Sequence, residues 1–340
     1  MRTAGLLVPR SRGEEARRYL VAAGLLRTDL AVLHEGDTLV FPVSVGPSSN
    51  AGEWGELVER EFPEHAVPGP TRYRDLLAWP EEEKGELPRS FDVIGDIVLV
   101  RLPASLVARQ DEIGAALLEF VPGARIVGAD HGVHGAERLR SVERIAGSGG
   151  WRTRHRENGV ELEVDVERAY FSPRLAREHA IFAEDVRPGD RVYDLCCGVG
   201  PFSVTTARRG RAKAITAVDA NPEAIALLRE TLVRHGFEDR VASRAACLEE
   251  FVPTATPVER VVLNLPREGI KYLPSVARAV APGGRLYYYE VAPRAELESR
   301  GVSLVNDLAS EGAFSVVTHR SVHPYSPDAD LAVFVLERTR

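Results

Sequence analysis

Hydrophobic and polar positions along this chain follow three successive patterns. Over residues 1–66 a short apolar segment (Gly5 to Val8), a helical pattern from Gly13 to Ala23 and the run Asp37-Thr-Leu-Val-Phe-Pro-Val, which reads as a strand, predict a small first domain. Residues 67–88, which take in most of PGPTRYRDLLAWPEEEKGELPRS, are dense in proline and charge and read as a linker. A middle α+β domain over 89–160 opens on a strand, Phe91-Asp-Val-Ile-Gly-Asp-Ile-Val-Leu-Val, followed by a helix from Leu106 to Phe120 and a strand near Arg125 to Val127. From 161 to 340 the pattern changes again: VRPGDRVYDLCCGVG, AKAITAVDANPEAIALLRETLVRHG, DRVASRAACLEEF, VERVVLNLP and GGRLYYYEVA alternate short apolar strands with amphipathic helices. That alternation predicts an α/β domain, a parallel sheet with helices on both faces.

Composition narrows this only a little. A length of 340 residues suits two or three domains, and 44% apolar with 27% charged residues is the balance of an ordinary soluble protein. Three cysteines (Cys196, Cys197, Cys247) do not make a disulfide framework, the first residues lack the apolar run of a signal peptide, and no stretch reaches the ~20 apolar residues of a membrane span. The expectation is a cytoplasmic protein without membrane attachment. A net charge of −7 weighs against nucleic acid, but the total conceals a local excess. Six arginines (138, 140, 144, 152, 154 and 156) stand against Glu143 alone between Arg138 and Arg156, and Gly147-Ser-Gly-Gly and Trp151 interrupt them. A solvated charged face is one reading; a flexible, basic, partly aromatic loop that follows an RNA backbone is the other.

The stretch VYDLCCGVGPFSV carries the chemistry. A dinucleotide turn needs a third glycine, yet Gly198 and Gly200 are followed by Pro201, Phe202 and Ser203. Asp194, just before the turn, suits a positively charged amine better than phosphate oxygens. Asp219, at the tip of the next strand, can accept hydrogen bonds from a ribose diol. Together the two acids point to S-adenosylmethionine, which has an amino acid, a sulfonium and a ribose but no phosphate. Adjacent cysteines lack metal-ligand spacing and have no His/Cys partners nearby, so Cys196 and Cys197 read as small residues packed beneath the turn and no metal is expected. Asn264-Leu265-Pro266, closing the fourth strand, offers a side-chain amide and backbone carbonyls to the exocyclic amine of a planar base. A proline that merely ends the strand is the plainer alternative.

These motifs occur together in one family along nearly the whole chain. FPVS, SFDVIGDIVLVRLP, HRENGVELEVDVERAYFSPRLAREH, DLCCGVGPFS, AVDANPEAIALLRE, LNLPREGIKYLP and PGGRLYYYE resemble the archaeal and eukaryotic tRNA (guanine-N1)-methyltransferases that act on guanosine 37, next to the anticodon. The resemblance implies a class I, Rossmann-like methyltransferase domain, a first domain that docks on the outer corner of tRNA, and a monomer. It implies Glu178 as general base, Arg138 as donor to O6 of the base, and Tyr170 and Asn264 as further active-site residues. Ala220, Asn221, Cys247, Asn264 and Pro266 join Asp194, Gly198, Gly200, Pro201, Phe202 and Asp219 as cofactor contacts, and Arg174 joins Arg140, Arg144, Arg152, Arg154 and Arg156 as RNA contacts. The chain departs from the family in Cys196-Cys197 for Phe-Ala, Cys247 for an aspartate at the adenine amine, and His179 for an arginine. Rival readings are an aminocarboxypropyl transferase of the wyosine pathway, an RNA-binding protein without activity, and a small-molecule methyltransferase.

Overall fold

The computed structural model describes residues 1–44, 54–64, 70–135 and 138–339. Contacts divide the chain into two compact units, Met1–Asp75 and Leu76–Arg340. In the first, β1 (Arg2–Pro9), β2 (Leu33–Glu35), β3 (Thr38–Pro42) and β4 (Glu56–Glu61) form an antiparallel sheet in the order β2-β3-β1-β4. The helix α1 (Gly13–Ala22) buries Ala16 and Leu20 against Leu6, Val8, Phe41 and Val43.

The second unit begins before the expected end of the linker. Leu77, Trp79 and Leu87, on either side of α2 (Glu81–Lys84), are buried, and Trp79 donates its indole N–H to Glu112 at 2.7 Å beneath the Arg109 guanidinium. The proline-rich composition conceals these apolar anchors, so the linker reading does not hold for this part; 65–69 lie outside the described residues. The expected strand 91–100 is two strands, β5 (Asp92–Ile94) and β6 (Ile97–Val100), folded back on each other. Gly95 makes the turn at φ +59°, where a Cβ would meet Thr153 Oγ1 at 2.2 Å. With α3 (Gln110–Phe120), β7 (Ile126–His134) and β8 (Leu139–Gly147) they form a sheet in the order β5-β6-β7-β8. Next, β9 (Arg152–Glu157) and β10 (Val160–Asp165) pair across an Asn158-Gly159 turn with both residues at positive φ. A domain boundary at residue 160 would cut this hairpin.

The remaining chain runs α4 (Ala176–Asp185), β11 (Arg191–Leu195), α5 (Pro201–Arg209), β12 (Ala214–Asp219), α6 (Pro222–His235), β13 (Val241–Ala245), α7 (Leu248–Phe251), β14 (Val258–Asn264), α8 (Leu273–Arg278), β15 (Val280–Pro293), α9 (Leu297–Asp307), β16 (Phe314–Pro324) and β17 (Ala329–Arg338). Seven strands form one sheet in the order β13-β12-β11-β14-β15-β17-β16, parallel from β13 to β15 and antiparallel for the last two pairs. Successive side chains serve opposite faces, as the pleat requires. Val262, Tyr287 and Tyr289 pack with Phe182 of α4, Phe202 of α5 and Ile225 of α6, while Val261, Leu263, Leu286 and Tyr288 pack with Phe251, Val276 and Leu304 of α7, α8 and α9. Helices therefore cover both faces, as the sequence predicts. The first face also takes Ile94, Ile97, Leu99 and Ile126 of the middle sheet, so the two sheets share one core.

Candidate cofactor and nucleobase site

Strand order reverses between β11 and β14, and a crevice opens outside the strand tips at that point. It is a cavity of about 580 Å³, lined on one side by Cys196 to Gly198, Asp219 to Asn221 and Ala246 to Glu249, and on the other by Arg138, Tyr170, His179 and Asn264 to Glu268.

At the turn, Gly198 and Gly200 take φ +55° and +74°. A Cβ on Gly200 would stand 2.5 Å from Leu228 Cδ1 of α6, so the second glycine lets α5 start close against its neighbour. Pro201 opens α5, and the Phe202 ring is buried, edge-on to Phe182 and His179. The Asp219 carboxylate accepts the backbone N–H of Gly198 at 2.7 Å and of Asn221 at 2.8 Å, which ties the β12 tip to the turn. Asn221 caps α6, accepting from the N–H groups of Glu223 and Ala224, so its side chain is already engaged in holding the helix. Ala220 and Cys247 are exposed lining residues. Burial raises the thiols of Cys196 and Cys197, which keeps both protonated and suits a packing role.

Asp194 stands elsewhere than expected. It is 1% exposed and absent from the cavity lining; its Oδ2 accepts the backbone N–H of Ser203 at 3.1 Å and the Ser203 hydroxyl at 2.7 Å. Burial pushes its carboxyl up to about 6 against those hydrogen bonds, and Oδ1 is left without a partner. A buried, unpaired carboxylate oxygen beneath the turn, with Asp219 at the next strand tip, is a set of acceptors that fits a cofactor carrying an amine and a diol.

The opposite wall holds the candidates for the target base. The Arg138 guanidinium lies 4.5 Å from the centre of the Tyr170 ring, with Nε buried and unpaired. Asn264 ends β14 and lines the same cavity, its side chain making no hydrogen bond among the described residues. The carbonyls of Leu265 and Pro266 already accept the N–H groups of Gly269 at 2.7 Å and Val291 at 3.1 Å, leaving the Asn264 amide as the uncommitted group of the triplet. Glu178 lies in the wall but not in the lining: it is 4% exposed, paired with Arg320 and bonded to the Tyr289 hydroxyl. Its neighbour His179 does line the cavity, with Nδ1 2.6 Å from Glu157 Oε1.

The arginines expected to meet RNA separate into two groups. Arg140 is 8% exposed, paired with Asp130 at 2.6 Å and donating to the carbonyl of Phe171; it is a structural tie, because β8 turns it inward. Arg152 pairs with Glu163 and Glu230, and Arg174 with Asp92. Arg144 donates to the carbonyl of Gly149 at 3.4 Å. Arg154 and Arg156 are exposed and have no recorded ion pair among the described residues. The expected flexible loop is largely strand: β8 and β9 carry all of these arginines except Arg174 and leave only a short Gly-rich connection.

Against known proteins, residues 153–317 match the TRM5/TYW2 methyltransferase domain and residues 73–150 the TYW2 N-terminal domain. The tRNA (guanine(37)-N(1))-methyltransferase Trm5b of Pyrococcus abyssi is 31% identical, with 96% of each chain aligned. The chain belongs to the TRM5/TYW2 methyltransferase family. The crystal structure of the same archaeal Trm5b superposes with a TM-score of 0.77 and 29% identity, over 99% of this chain and all of that one. A solved complex of aTrm5 with tRNALeu follows at 0.74 and 27%, covering 98% and 99%. Methanocaldococcus jannaschii Trm5 in complex with adenosine gives 0.67 and 27%, covering 99% of both chains. The resemblance read from the motifs is borne out, and with it the class I methyltransferase fold and the S-adenosylmethionine cofactor of the family.

Three features of the site escape sequence reasoning: the Arg320–Glu178–Tyr289 cluster, the His179–Glu157 pair, and Glu249, which lines the cavity and accepts from the Tyr272 hydroxyl at 2.6 Å. Each joins residues far apart in the chain or on different elements. Only the polar residue after Glu178, where the family has arginine, offered any signal.

Proposed function

We propose that this chain transfers a methyl group from S-adenosylmethionine to N1 of guanosine 37 in tRNA. The observation that carries the reading is the union, in one cavity, of the β11 turn and Asp219 on one wall with Arg138, Tyr170 and Asn264 on the other, in a chain 31% identical to a Trm5b along its length. The bound cofactor supplies an electrophilic methyl carbon on a sulfonium, and the carbon–sulfur electron pair returns to sulfur on transfer. The residues must make N1 of guanine a nucleophile, since at neutral pH N1 carries a proton. Glu178 takes that proton, across one bound water given its place behind the lining. Arg138 donates to O6, where negative charge builds as the N1–H pair stays on nitrogen. Tyr170, held by the Arg138 cation, supports the face of the base, and the free Asn264 amide orients its exocyclic edge. Asp194 and Asp219 hold the amine and ribose ends of the cofactor.

In the same reading Arg154 and Arg156 meet the RNA backbone near the anticodon loop, and residues 1–66 grip the outer corner of the tRNA. The protein acts as a cytoplasmic monomer; no helix among the described residues is long and apolar enough to cross a membrane. The TYW2-type match over 73–150 keeps aminocarboxypropyl transfer as the second reading. Methyl-labelled cofactor tests the proposal: label should enter unmodified tRNA bearing guanosine 37 and should not enter the same tRNA with adenosine there. Label entering both would contradict the choice of base.

A further inference from the structure

A carboxylate that serves as base must be ionised at working pH, and burial opposes this. Glu178 is 4% exposed, so water does little to stabilise its charge. Two donors from elsewhere in the chain do so instead. Arg320 of β16 donates Nη2 to Oε2 at 2.5 Å, and the Tyr289 hydroxyl of β15 donates to the same oxygen at 2.9 Å. Burial, and after it the Glu178 charge, raises the Tyr289 phenol well above its ordinary range, so it remains a donor. Among the described residues Oε1 has only the Arg320 Nε contact, at 3.3 Å.

We infer that Arg320, with Tyr289, is a positioning residue for methyl transfer that gives the buried Glu178 carboxylate a fixed cation and turns it so that Oε1 is the oxygen open to the N1 proton. This rests on the reading of Glu178 as base. A guanidinium does not lose its proton in the working pH range and binds in a fixed fork, so it supplies both a permanent charge and an orientation. Of the other charged and titratable groups around α4, Arg177 is exposed at the surface and those packed near Glu178 are committed elsewhere. His179 binds Glu157 of β9, Arg209 of α5 pairs with Glu184, Asp194 of β11 binds Ser203, and Tyr287 of β15 packs on Phe182. The part of β17 paired with Arg320 and Tyr289 is apolar, at Val333. With Arg320 removed, the Tyr289 hydroxyl and the N-terminal turn of α4, in which Glu178 stands, would remain to favour the anion.

The test is the pH profile of single-turnover methylation by the full chain, with cofactor and tRNA saturating. Arg320→Gln should move the acidic limb upward by about one to three pH units. The rate should therefore fall about tenfold or more at pH 6.5 and recover to within a few fold of the parent at pH 9, with cofactor affinity unchanged by calorimetry. Arg320→Lys should bring the limb part of the way back. An acidic limb that stays at the parent position in Arg320→Gln overturns the inference and makes Arg320 a strut between β16 and α4. If that variant does not fold, Tyr289→Phe decides: loss of one Oε2 donor should also raise the limb, by less, and an unmoved limb counts against the pair. Glu178→Gln separates the two ideas. Its rate should fall by about 10² to 10⁴; parent-like turnover would remove the base itself, whatever Arg320 does.

Discussion

Among single residues, Asp194 makes the strongest demand on its surroundings. Its carboxyl is raised to about 6 by burial, whereas in the unfolded chain it titrates near ~4. Between roughly pH 4 and 6 the folded chain keeps a proton that the unfolded chain has released, so stability falls as pH rises through this window. Asp194→Asn removes that penalty while keeping an acceptor for Ser203. It should raise the melting temperature at pH 7.5 by the equivalent of about 1 to 3 kcal/mol and do much less at pH 4. Thermal melts at the two pH values check this, and an equal gain at both would mean that the charge is not the cause. Asp219 instead accepts hydrogen bonds at the strand tip, from the backbone N–H groups of Gly198 and Asn221. Asp219→Ala should weaken cofactor binding by about one to two decades in titration calorimetry and leave tRNA affinity near the parent value. Unchanged cofactor affinity would refute the assignment of this strand tip. Both acids were legible because they flank a turn written in consecutive residues. The partners of Glu178 were not: Tyr289 is 111 residues away and Arg320 142, and only the sheet brings them together.

At the scale of elements, β8 and β9 decide which arginines are available to RNA. Strand alternation buries Arg140 and ties it to Asp130 and Phe171, while it leaves Arg154 and Arg156 outward. Replacing Arg154 and Arg156 with alanine should lower tRNA affinity and reduce the salt slope of binding by about one to two, with melting temperature unaffected. Arg140→Ala should do the reverse: it should destabilise the fold by about 1 to 3 kcal/mol, because it leaves the half-buried Asp130 without its cation, and change the salt slope little. Filter binding across a salt series, with thermal melts beside it, separates the two behaviours; equal effects would return Arg140 to the RNA face. A local count of charge could not make this distinction, since it does not record which face of a strand each arginine takes. The Phe91–Val100 hairpin was missed although its turn is written in the sequence: Gly95-Asp96 stands between Val93-Ile94 and Ile97–Val100, and Gly95 takes the positive φ such a turn requires.

On the scale of the whole molecule, the chain is two compact units, and the cavity lies wholly within Leu76–Arg340. The alternation of strands and helices after residue 161 made the sheet legible, but the shared core of the middle and C-terminal sheets was not, because apolar strands do not declare their partners. A chain beginning at Pro70 removes every strand and the helix of the first unit. It should fold, bind cofactor and methylate an anticodon stem-loop about as well as the full chain, and lose the advantage of full-length tRNA. Equal use of full-length tRNA by both forms would assign the first unit another task. The central claim is the identity of the group moved and of the atom that receives it. Unmodified tRNA incubated with the protein and S-adenosylmethionine, digested to nucleosides and resolved by mass spectrometry against 1-methylguanosine, tests it most directly. The account predicts a gain of one methyl, coincident with 1-methylguanosine. A gain of an aminocarboxypropyl group, or a methyl on any other atom, would contradict it.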